Sequence, residues 1–459
     1  MYYNFKTNLF SCSIFFSKKK SKESKSHFLN NKQPIFLPFC SKLFKIHYIN
    51  HLIFVIEMVY LFKSSFVLPK KKNMIADFLK PINKLLLDKI ETKEGNWKSK
   101  IHFYEGQSFD YSAYDIAILG VNEGRGNSKN KGTETAADTI RKSLYSLFNM
   151  PSKVRIIDLG NIEKGQKQSD TTIALSSVVN ELLRNKILPI ILGGDQTLAL
   201  GQYKGYNDLD FFVNMVSLDE RFTISDSSKK SQVSNENYLF KLFTDPPNIL
   251  FNFSQLGYQT YFVPNEFLDL MHKMQFDSYR LGIVREDLRE FEPVVRDADL
   301  MVFNIGSLRQ CDAPGISNPS PNGFFADEAC QLFRYAGLSD RLSSLGIYDF
   351  NPDYDLNNTT AIAIAQMIWY FIDGYSQRKG DYPIVNENDF NKFIVPIEDN
   401  PEDLVFLKSK KSDRWWIKIE METERSKKHK LFPCTIKDYH IALENEIPER
   451  WMRAYNKIL

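Results

Sequence analysis

The chain has 459 residues, 43% hydrophobic and 25% charged, which is the composition of an ordinary soluble protein with ample material for one large core and appended segments. The formal net charge is +3, and the excess of basic residues lies in the first 73 positions, so the rest of the chain is acidic overall and nucleic-acid binding is excluded. The five cysteines show no spacing pattern, which favours a reducing compartment, and we expect a cytoplasmic protein.

The first 73 residues differ in composition from everything that follows. They contain 13 lysines and 11 phenylalanines but no alanine, glycine, arginine or aspartate. We interpret residues 1–73 as a mis-assigned start or a disordered basic extension, with Met74 as the initiator and MIADFLKPINKLL as the start of an amphipathic helix. A basic targeting arm is the alternative. Its apolar stretch is short and interrupted by Glu57, so it fits neither a membrane span nor a signal peptide.

From residue 74 to residue 399, short apolar runs alternate with helical patterns. The runs are YDIAILGV, ILPIILGG, LDFFVNMVSL, ADLMVFNIG and LSSLGIYDF. Continuous apolar strands that alternate with helices indicate a parallel sheet covered on both faces. We therefore predict a three-layer α/β domain, in which a ligand would bind beyond the carboxyl ends of the strands.

Polar residues follow several of these predicted strands. They occur in the segments IILGGDQTLAL (190–200), VSLDERFT (216–223), VFNIGSLRQCDAPGISNPSPNG (302–323) and LGIYDFNPDYD (345–355). Because the carboxyl ends of parallel strands meet at one edge of a sheet, we expect these segments to form one pocket.

The same segments resemble the signatures of the arginase/ureohydrolase family. Segment 302–323 follows the spacing S-x-D-x-D-x3-[PAQ]-x3-P-G-x7-G, segment 190–200 is similar to the family's G-G-D-H-S turn, and segment 216–223 is similar to its D-A-H-x-D strand end. The resemblance extends from about Tyr114 to Tyr375. GGDQT, NFSQLGYQTYFVP and SNPSPNGF are most similar to the formiminoglutamase-like branch.

The resemblance implies a remnant pocket, whose candidate residues are Asp195, Gln196, Asp219, Arg221, Asn304 and Asp349. It also implies six ligand positions for two manganese ions, but only Asp219 keeps a ligand residue. The other five positions are occupied by Gln196, Arg221, Thr223, Asn304 and Gly306. A two-metal site needs bridging ligands that hold the cations about 3.5–4 Å apart. None of the seven histidines lies beside a strand-end acidic cluster, and no other metal motif occurs. We therefore expect no metal cofactor.

Two functions remain open at this stage. The first is an inactive family member that acts as a binding or scaffold protein. The alternative is a hydrolase of linear amidines, of formimidoylglutamase or agmatinase type, with an altered or metal-independent site. Asp349 matches the family's substrate-facing acidic residue, which predicts a small amidine or amine ligand, although it could instead only cap the turn at Asn351–Pro352. Asp219 and Arg221 lie two residues apart at a strand end, so we predict that they form an ion pair.

Residues 400–459 lie outside the resemblance, and we predict that they form a small C-terminal appendage. Trp415, Trp416 and Trp451 stand among charged residues there. Tryptophan is favoured at interfaces, so these side chains could bind another protein. The alternative is that they pack the appendage onto the α/β body. The sequence leaves a homo-oligomer open, and it predicts no membrane span.

Overall fold

The computed structural model describes residues 75–457, apart from residue 152 and the segments 226–231, 383–385, 399–402 and 424–425. The predictions for residues 1–73 and for Met74 as the initiator lie outside the described residues and stay predictions. In the part of the chain that is described, no helix is long and apolar enough to cross a membrane.

A ten-stranded sheet lies at the centre of the described chain. The strand order is β1-β4-β3-β5-β10-β9-β6-β7-β8, with β2 beside β4, and every pairing is parallel except that of β1 with β4. The predicted parallel sheet is therefore confirmed. The strands are β1 Leu79–Lys80, β2 His102–Phe103, β3 Ile116–Asn122, β4 Ile156–Glu163, β5 Leu188–Leu192, β6 Val213–Leu218, β7 Leu250–Tyr258, β8 Asp277–Arg280, β9 Leu300–Asn304 and β10 Ser344–Tyr348.

Helices cover both faces of this sheet, as predicted. Along β3, Ile116 and Ile118 enter one apolar core, whereas Ala117 and Leu119 enter the other, because successive side chains of a strand point to opposite faces. The sheet is thus the middle layer of three. The helices of this body are α1 Lys84–Asp88, α2 Ala136–Tyr145, α3 Gln168–Arg184, α4 Ala199–Lys204, α5 Tyr238–Thr244, α6 Asn265–Lys273, α7 Leu281–Glu286, α8 Glu292–Arg296, α9 Ala326–Leu338 and α10 Thr359–Ser376.

The amphipathic helix predicted to start at Met74 is wrong in the part that is described. A single 3-10 turn covers Ala76–Phe78, and the next two residues form β1, which pairs antiparallel with β4. Pro81 explains the difference, because proline disfavours a helical conformation in the residue before it and lacks the N–H that a helix interior needs. The helix that follows, α1, has only five residues.

The C-terminal part forms a second, antiparallel sheet in the order β11-β12-β13-β14. It begins at Phe390, within the range 74–399 that the sequence assigned to the body, because the β11 residues pair with β12 in continuous register. Its elements are β11 Phe390–Val395, β12 Leu404–Ser409, β13 Trp415–Thr423, β14 Ser426–Cys434, α11 Ile436–Leu443 and α12 Glu449–Asn456.

The three tryptophans of this appendage are buried, with relative exposures of 7% for Trp415, 1% for Trp416 and 8% for Trp451. The Arg296 guanidinium, on α8 of the body, stacks over the Trp416 ring at 4.5 Å and donates to the main-chain carbonyls of Trp415 and Cys434. Trp416 therefore packs the appendage onto the α/β body, as in the alternative, whereas Trp415 and Trp451 belong to an apolar cluster formed mainly by the appendage itself. The rings do not form an exposed surface for a partner.

A buried ion pair fixes α2 against β4 and allows a direct test of the body's packing. Arg141 donates to both carboxylate oxygens of Asp158 over 2.8 and 2.9 Å, and both side chains are fully buried. Arg141→Ala leaves a buried carboxylate unpaired, so we expect it to lower the free energy of unfolding by about 3–5 kcal/mol in urea denaturation. Arg155→Ala is the matched control, because Arg155 holds Asp115 with similar geometry at a half-exposed site. Its loss should lower the free energy of unfolding much less than the loss of Arg141. Equal losses in the two variants would contradict the prediction.

Candidate functional site

The predicted pocket residues lie beyond the ends of four neighbouring strands. Strands β5, β10, β9 and β6 are adjacent in that order, and their carboxyl ends carry Gln196, Asp349, Asn304 and Asp219 respectively. A cavity of about 340 Å³ opens at this edge. All six positions at which the resemblance placed metal ligands line it, together with Asp349; they are Gln196, Asp219, Arg221, Thr223, Asn304 and Gly306.

Two carboxamides join the two aspartates across the floor of this cavity. Gln196 Nε2 donates to Asp219 Oδ2 over 2.6 Å, and Asn304 Nδ2 donates to Gln196 Oε1 over 2.7 Å. The same Asn304 nitrogen lies 3.0 Å from Asp349 Oδ2 and donates to it. The four buried side chains therefore form one continuous hydrogen-bonded chain, which we call the amide chain (Asp219, Gln196, Asn304 and Asp349).

Asp349 faces the cavity and does not cap the following turn. Its carboxylate accepts from Asn304, from Asn127 Nδ2 over 3.3 Å and from the main-chain N–H of Gln196 over 3.3 Å. The turn is capped by Asn351, whose side chain accepts from the N–H of Asp353. Asp349 also adopts a left-handed backbone with φ of 66°, a strained conformation for a residue with a side chain. The turn-capping alternative for Asp349 is therefore wrong.

The predicted ion pair between Arg221 and Asp219 is also wrong. Arg221 Nε donates to Glu220 Oε1 over 2.9 Å, a second guanidinium nitrogen contacts the same oxygen, and only the main-chain N–H of Arg221 reaches Asp219, over 3.2 Å. The guanidinium carbon lies 4.3 Å from the centre of the Phe262 ring. The i, i+2 rule fails because β6 ends at Leu218 and the chain turns before Arg221.

Asp195 lies behind the cavity wall and not on the cavity surface. Its side chain accepts from the N–H groups of Gly126 over 2.8 Å and Thr197 over 3.0 Å, and from the Thr197 hydroxyl. It caps the short 3-10 turn that carries Gln196. Asp195 thus positions Gln196, and the structure gives it no access to a ligand.

Burial dominates the electrostatics of the site. Burial raises the pKa of Asp219 to about 8, and the hydrogen bond from Gln196 opposes this shift. Burial likewise raises the pKa of Asp195 to about 7 and raises the pKa of Asp349. For Glu220, burial raises the pKa while the Arg221 guanidinium lowers it. Near neutral pH the cavity wall therefore holds fewer negative charges than its count of acidic residues suggests.

The donor atoms at this strand edge do not fit the dimanganese centre that the family resemblance implies. Among the described residues, no cluster of three or more His, Cys, Asp or Glu side chains is arranged to hold a metal ion. At the two central positions, Gln196 and Asn304 direct N–H groups at the aspartate oxygens, and these oxygens are the atoms that a cation would need.

Sequence reasoning missed three residues of the site: Glu220, Asn127 and Phe262. Glu220 could have been found, since it stands between Asp219 and Arg221 in the segment DERFT. Asn127 comes from the loop after β3 and is 222 positions from Asp349, so no local pattern marks it. Phe262 follows β7 and reaches the site only because β7 lies next to β6 in the sheet.

The fold and the site together define an α/β protein of the ureohydrolase type. The Arginase family model matches residues 114–373, more than half of the chain, and the chain belongs to that family. The predicted resemblance to the formiminoglutamase-like branch is confirmed by the relatives that follow.

One curated relative is the formimidoylglutamase of Staphylococcus haemolyticus, which is 23% identical over 277 residues, covering 56% of this chain and 85% of that protein. A crystal structure of Trypanosoma cruzi formiminoglutamase with manganese has 18% sequence identity and a TM-score of 0.55, covering 59% of this chain and 97% of that one. The crystal structure of the formimidoylglutamase of Bacillus subtilis has 19% sequence identity and a TM-score of 0.56, and the match covers 63% of this chain and 94% of that one. At these identities the solved structures establish the shared fold.

The raised pKa of Asp219 predicts how stability depends on pH. In the unfolded chain this carboxyl loses its proton near its ordinary pKa of about 3.9, whereas in the folded chain it keeps the proton up to about 8, so wild-type stability should fall as pH rises through this window. Asp219→Asn removes the titrating group and keeps an acceptor for Gln196. We therefore expect the free energy of unfolding of the variant, measured in urea and compared with that of the wild type, to increase by roughly 1 kcal/mol per pH unit between pH 5 and pH 8.

The matched control for this titration is Asp115→Asn. Burial raises the pKa of Asp115, but the hydrogen bonds that it accepts from Arg155 lower the pKa by more than burial raises it. The net shift of the Asp115 pKa is therefore downward. Asp115 is then ionised in both states above pH 5, and the stability difference between this variant and the wild type should stay constant. A constant difference for Asp219→Asn as well would contradict the raised pKa of that carboxyl.

Proposed function

We propose that this member of the arginase family is a non-catalytic binding protein that carries no dimanganese centre. The observation that carries the proposal is the amide chain. Gln196 and Asn304 occupy two former ligand positions and direct N–H groups at Asp219 and Asp349. A cation and an N–H donor compete for the same oxygen atoms, and a carboxamide nitrogen is not a metal ligand.

Arg221 adds a fixed positive charge at a third former ligand position. Its guanidinium stays protonated in proteins, and it lines the same cavity as Asp219. Two divalent cations beside it would be repelled. Thr223 and Gly306, at the remaining positions, supply no carboxylate.

The ligand that fits this cavity best is a small amidine or amine. Asp219 and Asp349 form one wall, and a cation that enters would favour their ionised forms and be attracted in return. The cavity of about 340 Å³ has room for a linear molecule of this class. A scaffold that binds another protein is the second non-catalytic role that we propose. The tryptophans of the appendage are buried, so they do not supply the binding surface for such a partner. We also propose a cytoplasmic location, supported by the free cysteines Cys311, Cys330 and Cys434.

The alternative function is a metal-independent hydrolase of linear amidines. The observation in its favour is the raised pKa of Asp219, since a carboxyl that titrates near neutral pH can transfer a proton to a leaving group. Against it, each oxygen of Asp219 already accepts a hydrogen bond from a neighbouring group, Gln196 or the main chain of Arg221.

The proposal predicts that the purified chain holds no stoichiometric manganese. The measurement is elemental analysis after incubation with manganese and desalting. About two manganese ions per chain would contradict the proposal, because that is the content of a two-metal hydrolase.

A reverted variant gives the matching positive control. It combines Gln196→His, Arg221→His, Thr223→Asp, Asn304→Asp and Gly306→Asp, which restores the family pattern at every position. A side chain at Gly306 would lie 3.1 Å from the Oδ1 oxygen at position 304, which must shift by a few tenths of an ångström to admit it. We expect this variant to retain manganese. Retention by the variant alone attributes the difference to the substituted side chains.

Calorimetric titration separates binding from catalysis. We expect formiminoglutamate, arginine, agmatine or guanidinobutyrate to bind without release of urea, ammonia or formamide. Asp349→Asn should weaken the binding of the cation about tenfold, since a hydrogen bond to a charged group contributes roughly 1.5–3 kcal/mol. The control is Asp353→Asn, because Asp353 is exposed and lies outside the cavity lining.

The outcomes of this titration are distinct. Turnover that disappears in Asp349→Asn would overturn the non-catalytic proposal in favour of the hydrolase. An unchanged affinity in Asp349→Asn would show that the acidic wall does not contribute to ligand recognition. Absence of both binding and turnover would leave the scaffold role.

A further inference from the structure

The Arg221 guanidinium lies in a small cage at the mouth of the cavity. Glu220 forms one side of the cage and accepts from two guanidinium nitrogens. Phe262 forms another side, with its ring centre 4.3 Å from the guanidinium carbon. All three residues line the cavity. A carboxylate combined with an aromatic face is a general arrangement for recognising an organic cation.

The cage is more rigidly built than the arginine that fills it. Glu220 is only 3% exposed at its side chain, whereas the Arg221 side chain is 41% exposed. The main chain on both sides of Glu220 is fixed, because its carbonyl accepts from the N–H of Gln259 over 2.8 Å and the preceding Asp219 N–H donates to Leu256. The carboxylate therefore stays in place when the arginine side chain is removed.

A buried carboxylate beside an open cavity requires a compensating cation. In this chain Arg221 supplies it from the adjacent position in sequence, so the compensation is intramolecular. Removal of the guanidinium leaves Glu220 with neither its charge partner nor those two hydrogen bonds, which is unfavourable for a group that is excluded from water. A free cation of the same shape can restore both contacts.

We propose that Arg221 is a built-in occupant of a cation subsite formed by Glu220 and Phe262, and that it determines which ligands this cavity accepts. A guanidinium or amidinium group cannot enter the cage while Arg221 fills it. A ligand must then place its single positive charge on the inner wall at Asp219 and Asp349. Its outer end meets the positive charge of Arg221, so a ligand with a carboxylate at that end binds more tightly than one with a second cationic group.

The consequence for ligand choice rests on the proposed binding function, but the cage itself does not. Agmatine and guanidinobutyrate form a matched pair, because both carry a guanidinium and they differ at the other end, which is an amine in one and a carboxylate in the other. If the cavity binds them, the wild-type chain prefers guanidinobutyrate. Arg221→Gln reduces or reverses that preference, since the fixed positive charge is gone and the charge of Glu220 is no longer compensated.

The cage is tested with methylguanidinium at millimolar concentration, well below denaturing levels, on the full chain. Arg221→Ala should bind it saturably and should recover part of the thermal stability that the substitution removes. The wild type should bind methylguanidinium at least about tenfold more weakly than Arg221→Ala does. A tenfold difference in affinity corresponds to roughly one charge-assisted hydrogen bond. The double variant Glu220→Gln, Arg221→Ala should lose the binding gained by the single variant.

Arg221→Gln serves as the second variant, because its amide can still donate to Glu220 and maintain the fold; it should bind methylguanidinium more weakly than Arg221→Ala but more strongly than wild type. Circular dichroism confirms that each variant is folded. Equal affinity of wild type and folded Arg221→Ala overturns the proposal, and so does binding that persists in the double variant. Manganese retention or turnover would overturn the non-catalytic function while leaving this result unaffected.

Discussion

The site is organised by the need to satisfy two buried carboxyl groups, Asp219 and Asp349, at adjoining strand ends. Burial raises the pKa of both, so each needs hydrogen-bond donors or a cation nearby. Gln196 and Asn304 supply those donors and connect the ends of four strands through one hydrogen-bonded chain. The amide chain therefore satisfies both carboxyl groups by hydrogen bonds, and a cavity opens above them.

The same principle explains the mouth of the cavity. Glu220 is buried beside the amide chain, and Arg221 compensates it from the next position in sequence while stacking on Phe262. The inner wall is thus compensated by neutral amides and the outer wall by a fixed cation. A ligand of the proposed kind would therefore meet carboxyl groups at the inner end of the cavity and a guanidinium at its mouth.

The appendage is attached to the body through a buried cation. In contrast to the buried carboxyl groups of the site, this cation is surrounded by an aromatic ring and main-chain carbonyl groups. Arg296 leaves α8, stacks on Trp416 and donates to two carbonyl groups at the ends of β13 and β14. Guanidinium groups tolerate this because they are weakly hydrated and planar. The second sheet lies outside residues 114–373, which the family model matches.

The sequence by itself determined the layered parallel sheet, because a continuously apolar strand such as YDIAILGV avoids water only when helices cover both faces of the sheet. It also identified which side chains stand at the strand ends, from motif spacing in segments 190–200, 216–223 and 302–323. Only the tertiary structure decided what those side chains contact. Arg221 turns to Glu220 because the strand ends before it, and Asn127 reaches Asp349 from a loop 222 positions away. The sequence left open whether the tryptophans of the appendage are exposed or buried, because burial depends on tertiary packing that local sequence does not encode.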